Sequence, residues 1–521
     1  MASWLKMLKD LTVRSHVKEV RTPPPMPSDE DWVKPLSYLR IKELLSASTD
    51  IVFREFILKG KQDIQCSLAV VDGLIDKQII DQFILKPLMV DFAGELEKMD
   101  LTQKTAPDLI LSRLAPANEI KKIDKLGDAL DGILSGDAVL FLGEESALLI
   151  GARGWVNRGV AEPQTESSVR GPREGLSETL RINTSLIRRK IKHPSLRIKS
   201  LKVGELTRTD IVVTYIESLA SEDVLNELYD RLSRIKIDGV LESGYLEELI
   251  EDMPYSPFPQ VTYTERPDVV AANLLEGKIA ILVDGTPIAL IVPVVFAEFM
   301  QVSEDYFERA MIVILVRFVR FAGVFLALLA PSIYIAVTNF HHEMLPTDLA
   351  LSIAAGRENV PVPALLEALI MVFALEILQE AGLRLPRPMG QTIGIVGALI
   401  IGDAAVKANL VSPIMVIIVG LTAVATYAMP SYDVAIAIRL VRVPLMILAG
   451  SLGFFGIGVG LYALLIHLLC LRSFGTPYLS PIAPLRIRAL LQDTFVRAPW
   501  WALKRRPHLI ETKEPKTGGN S

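Results

Sequence analysis

The sequence has few of the residues and patterns on which most soluble enzymes depend. It contains only two cysteines, Cys66 and Cys470, which excludes a disulfide framework. The six histidines show no metal-ligand spacing, and His342-Glu343 is followed by Met-Leu-Pro, so the zinc motif His-Glu-x-x-His is not completed. No phosphate-binding Gly-x-x-x-x-Gly-Lys loop or Gly-x-Ser-x-Gly elbow occurs. We therefore expect no catalytic residue, metal or cofactor, and we do not expect an enzyme.

The first residues also lack the apolar stretch of about 7 to 15 residues that a secretory signal peptide requires. We therefore expect the N-terminal region to be cytoplasmic. Charged residues recur every few positions to about Ala310 and become sparse from Phe321 to Leu471. Half of the residues are hydrophobic and the mean hydropathy is +0.36, yet 22% are charged, which indicates two unlike regions. The predicted fold class is a multi-domain membrane protein with a cytoplasmic α/β N-terminal region of two subdomains and an α-helical transmembrane bundle.

Changes in composition along the chain predict six segments, because Pro, Gly, Ser and charge mark connectors while apolar periodicity marks packed elements. They are a flexible leader (1–35), a first α/β subdomain (36–154), a linker (155–177), a second α/β subdomain (178–305), a transmembrane helical domain of four to six spans (306–471) and a basic cytoplasmic tail (472–521).

Two β-hairpins are predicted in the soluble region. Residues 136–151 indicate two strands about a Gly-Glu-Glu-Ser turn. Residues 279–283 and 287–292 flank Asp284-Gly285, and Asp-Gly between β-rich runs is the strongest short hairpin signal. The second subdomain is also expected to have helices over 177–192 and 221–235 and a strand over 210–216.

Five blocks reach or approach the roughly 20 apolar residues that a membrane span needs. They are residues 321–340, 362–381, 390–405, 410–428 and 443–471. Arg317 and Arg320 place the start of the first block inside, and the tail, with seven basic residues from 472 to 506 and one acid, Asp493, should also be inside. An inside tail needs an even number of crossings. Either the 390–405 block is re-entrant, or the glycine-rich stretch 432–471 crosses twice.

Ionisable residues within apolar blocks are costly, so they usually face a bundle interior, a water-filled cavity or a partner. Glu367, Glu376 and Asp403 are candidates for an ion pathway or for gating, and Asp403 could pair with Lys407 four residues later. For Glu380, Arg439 and Arg442, an interfacial position is an equal alternative. The Gly-xxx-Gly pairs at 390/394 and 456/460 predict close helix packing, within one subunit or between subunits.

Several strings of the sequence resemble the A subunits of the GerA family of spore germination receptors. They occur in one order across the soluble and apolar regions, and include Gly171-Pro-Arg-Glu-Gly-Leu-Ser-Glu, Thr264-Glu-Arg-Pro-Asp, Glu343-Met-Leu-Pro, Gly390-Gln-Thr-Ile-Gly-Ile-Val-Gly-Ala and Ser473-Phe-Gly-Thr-Pro-Tyr. Residues 1–40 and 508–521 fall outside the likeness.

The resemblance implies a protein of the spore inner membrane, in complex with a permease-like B subunit and a lipoprotein C subunit. It also implies a homo-oligomer around an ion-conducting pore that opens when nutrients bind. Because nutrient recognition in this family is attributed mainly to the B subunit, we assign no nutrient pocket to this chain. Nucleic acid is not an expected partner. The alternatives are a non-conducting receptor scaffold and a family relative that acts in dipicolinate release. Asp284 and Gly285 are candidates for coupling the soluble region to the first span.

Overall fold

The computed structural model describes residues 31–58, 63–91, 107, 110, 120–154, 162–163, 166, 168, 170–384 and 402–502. The chain divides into two compact units. The first contains the described residues to Gly154, and the second contains nearly all described residues that follow.

The first unit is built on a five-stranded antiparallel sheet. Its strands are β1 (Ile51–Leu58), β2 (Ile64–Val71), β3 (Ile120–Ile123), β4 (Ala138–Leu142) and β5 (Ala147–Ile150), in the spatial order β1-β2-β4-β5-β3. Its helices are α1 (Tyr38–Leu45) and α2 (Leu126–Leu134), and further helical turns run from Lys77 to Asp91. The hairpin predicted over 136–151 is confirmed, with Phe141 of β4 opposite Ala147 of β5.

The second unit begins with another five-stranded antiparallel sheet. Its strands are β6 (Leu196–Val203), β7 (Thr209–Ile216), β8 (Thr262–Thr264), β9 (Ile279–Val283) and β10 (Ala289–Val292), in the order β6-β7-β9-β10-β8. Its helices are α3 (Leu180–Lys190), α4 (Glu222–Arg234), α5 (Ser243–Ile250) and α6 (Pro267–Leu275). The predicted helices, the strand over 210–216 and the hairpin about Asp284-Gly285 are confirmed.

Helices cover both faces of this second sheet. Successive side chains of a strand point to opposite faces, so each strand contacts helices on both sides. On β9, Ile279, Ile281 and Val283 pack toward α4 and α5, whereas Ala280 and Leu282 pack toward α3 and α6. A sheet buried on both faces requires apolar residues at consecutive positions, which is why β9 is an unbroken apolar run.

The two sheets have the same connectivity. In each, the first, second, fourth, fifth and third strands of the unit lie side by side in that order, and a helix connects the third strand to the fourth. The turn after that helix contains a glycine with positive φ in both units, Gly136 (φ 91°) and Gly277 (φ 92°), a conformation that glycine adopts without steric cost. The soluble region therefore contains a structural repeat that the sequence analysis did not detect.

The remainder of the second unit is a helical bundle. Its helices are α7 (Ala310–Phe340), α8 (Thr347–Arg357), α9 (Ala364–Arg384), α10 (Pro413–Tyr427), α11 (Tyr432–Leu452) and α12 (Phe454–Cys470). Among the described residues, two stretches are long and apolar enough to cross a membrane, 310–340 and 432–470, as judged by length and composition. A short β-ribbon, β11 (Arg472–Ser473) and β12 (Thr476–Pro477), follows α12.

Four of the five predicted apolar blocks correspond to helices, with two differences. Helix α7 begins at Ala310, eleven residues before the predicted block, because the buried Arg317 and the neighbouring Arg320 are paired with carboxylates and no longer interrupt the helix. The 390–405 block lies almost entirely outside the described residues.

The second difference concerns the glycine-rich stretch, which forms two helices joined by a turn at Gly453 (φ 63°). A side chain added at Gly460 would meet Leu445, and one added at Gly456 would meet Leu448, so α11 and α12 lie antiparallel and in close contact. The Gly-xxx-Gly pair at 456/460 therefore packs within the chain, and α12 brings the chain back to the end of the bundle from which α11 started.

Candidate functional site in the helical bundle

Glu367 lies in the first turn of α9 and is fully buried. Its Oε1 atom accepts hydrogen bonds from the backbone N–H and the hydroxyl of Ser412, both at 2.5 Å. Ser412 is the N-cap residue of α10, and its Oγ atom accepts a hydrogen bond from the N–H of Met415. Because the N-terminus of a helix carries partial positive charge, it is a favourable environment for a buried carboxylate.

The second oxygen of Glu367 faces a cation. It lies 3.8 Å from Nε of Arg357, the last residue of α8, and accepts no hydrogen bond from any described residue. The hydroxyl of Tyr334, on α7, is buried and likewise has no hydrogen-bond partner among the described residues. Glu367 thus connects α8, α9 and α10 from inside the bundle, with one carboxylate oxygen less well satisfied than the other.

Glu376 lies two turns further along α9 and has a different set of neighbours. Its Oε2 atom accepts a hydrogen bond from Nη1 of Arg439 on α11 at 2.9 Å, and the same Nη1 donates to Gln379 at 2.5 Å. The side chain of Glu376 is 37% exposed, whereas that of Arg439 is 15% exposed. Of the two glutamates, Glu376 is the one that could face a polar pathway without rearrangement of this chain.

Arg442 follows Arg439 on α11 and is 1% exposed. Its Nη2 atom donates to Oγ1 of Thr426 on α10 at 3.0 Å. Arg439 and Arg442 are therefore largely enclosed by this chain, and their position relative to the membrane interface stays a prediction. A buried arginine is costly unless its donors find acceptors, and Nε of Arg442 has no acceptor among the described residues, so the contact with Thr426 offsets this cost only in part.

Asp403 and Lys407 form the predicted pair, with Lys407 Nζ 2.7 Å from Asp403 Oδ2. Both side chains are largely exposed in this chain, at 57% and 75%. Exposed pairs of this kind contribute little to stability. Asp403 is consequently available to a neighbouring molecule or to solvent, unlike Glu367.

Asp284 and Gly285 form the turn of the β9–β10 hairpin. Oδ1 of Asp284 accepts a hydrogen bond from the N–H of Leu180 at 3.1 Å, at the start of α3, and the N–H of Gly285 donates to the carbonyl of Glu178. The structure therefore places this turn against the start of α3. Its assignment as the coupling element to the first span stays a prediction.

A charged cluster that the sequence analysis missed lies at the start of α7. Arg317 is fully buried; its Nε donates to Oδ2 of Asp305 at 3.1 Å, and its Nη1 donates to the carbonyl of Asp493 at 2.5 Å. Arg320 also donates to Asp305, at 2.8 Å. In the sequence the two arginines indicate only the orientation of the first block. The signal that could have revealed the cluster is Asp493, the one acid in a basic segment.

The described part of the bundle also contains an apolar cavity of about 300 Å³ between α11, α12 and the loop at Phe258. His467 is the polar residue of its lining, and its Nε2 atom lies 2.9 Å from Oγ of Ser256. Such a lining offers few partners for the charged groups of an amino acid or the hydroxyls of a sugar.

The family described as Bacillus/Clostridium GerA spore germination protein matches residues 39–509. The chain is 45% identical to the uncharacterized membrane protein YfkQ of Bacillus subtilis, over 89% of this chain and 88% of the relative. It is 44% identical to spore germination protein KA of the same organism, over 91% of this chain and 86% of the relative.

The chain is also similar to a solved structure, the crystal structure of the N-terminal domain of the A subunit of the Bacillus megaterium spore germinant receptor GerK3, to which it is 36% identical. The match has a TM-score of 0.40 and covers 51% of this chain and 98% of the domain.

Proposed function

Because this chain belongs to the GerA family of spore germination proteins, we propose that it is the A-type subunit of a nutrient germinant receptor. In this proposal several copies assemble around an ion-conducting pore in the spore inner membrane, together with a permease-like B subunit and a lipoprotein C subunit. Nutrient binding to the complex shifts a closed-to-open equilibrium, and the released ions initiate germination. The observation that carries the proposal is the family match, which spans the soluble and the helical regions alike.

The arrangement of the helices supports placing the soluble region and the tail on the same side of the membrane. Helix α7 follows the second sheet after the connector 293–309, and α12 returns to the sheet, where His467 meets Ser256 and Ser473 donates to the carbonyl of Gln260. If the 390–405 block crosses once, as its composition predicts, the total of six crossings places both ends in the cytoplasm. This is the orientation that we propose.

The buried charges support a bundle with a polar function. Glu376 combines a half-exposed carboxylate with a paired arginine, and we propose that it faces the ion pathway. Glu367 is enclosed and joins three helices, so we propose that it acts in gating, where a change in helix packing alters its partners. Asp403 is exposed and is the third candidate, at the surface of the subunit.

The test is the release of monovalent cations from purified spores exposed to a panel of amino acids and sugars, with and without the gene. We expect loss of the gene to abolish early release for one nutrient class. Intact early release for every nutrient, together with slow dipicolinate release, would place the protein downstream and overturn the proposal.

Substitution of the candidate residues tests the ion pathway. Glu367→Gln and Glu376→Gln each remove a charge and keep the shape of the side chain, and we expect both to change the rate of nutrient-triggered cation release. The matched control is Glu358→Gln, because Glu358 is exposed at the end of α8. Release kinetics equal to those of the control in both variants would contradict these assignments.

A further inference from the structure

The segment that follows the last helix of the bundle is built into the second sheet unit. Phe474 lies in the core between the sheet and helices α4 and α5, and Nη2 of Arg231 donates to Asp252, which in turn accepts from the N–H of Phe474. Oγ of Ser473 donates to the carbonyl of Gln260 at 2.7 Å and accepts from the N–H of Val294 at 3.1 Å. The segment is therefore anchored at the sheet before it goes further.

From that anchor the segment runs alongside the connector that leads from β10 to α7. Its contacts follow the same order along the segment and along the connector. The carbonyl of Tyr478 accepts from Phe296, that of Asp493 accepts from Gln301, the carboxylate of Asp493 accepts from Tyr306, and Arg497 donates to the carbonyl of Glu308. We call residues 471–497 the C-terminal splint, since they brace residues 293–309 over their length.

The splint ends on α7 itself. Nη1 of Arg317 donates to the carbonyls of Asp493 and Thr494, at 2.5 and 3.2 Å, and the rings of Phe321 and Phe495 lie 4.7 Å apart. Arg317 and Asp305 are 0% and 3% exposed. Charged hydrogen bonds in so little water are strong and geometrically exacting, so the splint and the base of α7 hold one another in a single arrangement.

We propose that the C-terminal splint is the element that transmits movement of the second sheet to α7. A connector of seventeen residues without a splint would absorb a displacement of the sheet by bending. Braced at Ser473, Tyr478 and Asp493, it passes the displacement to Arg317 and hence to the first helix of the bundle. A change in the soluble region then reaches α7. It also reaches α12, because the splint begins directly after that helix.

The primary experiment does not depend on the proposed function. Hydrogen exchange of residues 309–321 is measured on the full chain in detergent, for the parent protein, Ser473→Ala, Tyr306→Phe and the double variant. Ser473→Ala removes two hydrogen bonds of the sheet anchor, and Tyr306→Phe removes the hydroxyl that donates to Asp493 at 2.9 Å. Controls of the same chemistry are Ser451→Ala and Tyr462→Phe, because both residues are exposed on the bundle.

We expect Ser473→Ala to speed exchange at 309–321 about tenfold, although its hydrogen bonds go to Gln260 and Val294. We also expect the two substitutions together to speed exchange by less than the product of their separate effects, because both act through one element. Exchange at 309–321 equal to that of the controls in Ser473→Ala, or strictly multiplicative effects, would overturn the proposal.

A second arm rests on the proposed function and uses spores. At unchanged protein level, we expect Tyr306→Phe to raise the nutrient concentration for half-maximal cation release about fivefold relative to Tyr462→Phe. An unchanged nutrient response, or release without nutrient, would contradict transmission through the splint. If the gene proves dispensable for every nutrient while Ser473→Ala still loosens 309–321, the proposed function fails and the splint stands.

Discussion

One carboxylate oxygen of Glu367 accepts both the backbone N–H and the hydroxyl of Ser412, a residue 45 positions further along the chain. The contact joins the first turn of α9 to the N-cap of α10 in the interior of the bundle. A residue proposed to act in gating is therefore also a structural joint, and the two roles need separate measurements.

Removing this joint should destabilise the protein. Glu367→Ala leaves the N–H and the hydroxyl of Ser412 without their buried acceptor, and an unsatisfied buried polar group typically costs about 1–3 kcal/mol. Thermal unfolding of the full chain in detergent measures the loss, with the exposed Glu358→Ala as the control. A melting temperature within error of the control would show that Glu367 does not contribute to the stability of the fold.

The close contact of α11 and α12 makes a second prediction. A methyl group at Gly456 would fall on the carbonyl oxygen of Leu448, which is backbone and cannot turn away, whereas one at Gly458 would meet nothing within 4 Å. Gly456→Ala should therefore separate the two helices and cost about 1–3 kcal/mol. Gly458→Ala should be neutral or slightly stabilising, since alanine favours the helix. Equal melting temperatures for the two variants would contradict the antiparallel packing.

The stability of the second sheet and its helices should depend on pH through Glu247. Burial, with the carboxylates of Asp433 and Glu251 nearby, raises the pKa of Glu247 to about 8. The unfolded chain has the ordinary value near 4.3, so the folded state holds this proton more tightly. The stabilisation is complete below about pH 4.3 and is lost as the pH rises through 8.

Glu247→Gln should remove this dependence. We expect the variant to be more stable than the parent at pH 9, and the difference to shrink steadily on acidification toward pH 4. Melting temperatures across this range measure the effect, and Glu248→Gln, at an exposed position of the same helix, is the control. Parallel pH profiles of parent and Glu247→Gln would exclude a raised pKa at Glu247.

Asp284 should contribute to stability through α3. Its carboxylate accepts the N–H of Leu180 at the start of that helix, and the loss of such a cap typically costs about 1 kcal/mol. We expect Asp284→Ala to lower the melting temperature relative to Asp238→Ala, an exposed loop position. If the β9–β10 turn also couples the sheet to the first span, Asp284→Ala will slow cation release in spores, and unchanged release would confine Asp284 to its capping role.

Local patterns in the sequence predicted most single elements. The Asp284-Gly285 turn, the strand over 210–216 and the spacing of Asp403 and Lys407 each depend on residues close in the chain, and each was confirmed. The contacts of Glu367 with Ser412 and of Arg317 with Asp493 could not be predicted, because they join residues 45 and 176 positions apart. Nothing in a single sequence fixes which distant acceptor a buried charge will find.

The start of α7 shows why a hydropathy pattern misplaces a helix end. Arg317 and Arg320 lower the local hydropathy, so the predicted block began at Phe321, although the helix starts at Ala310. Hydropathy counts each charge as exposed to its surroundings, whereas these two are neutralised by Asp305 and Asp493. The repeated sheet was missed for another reason, since its units share connectivity and a positive-φ glycine more than they share side chains.

The position of Phe474 has a consequence for biosynthesis. The ribosome completes β10 well before it has made the helices of the bundle, yet the core beneath that sheet receives Phe474 only after Cys470 has been translated. The last side chain of this core is thus translated only after every helix of the bundle. A chain that stops before Phe474 carries the same sheet with one side chain missing from its core.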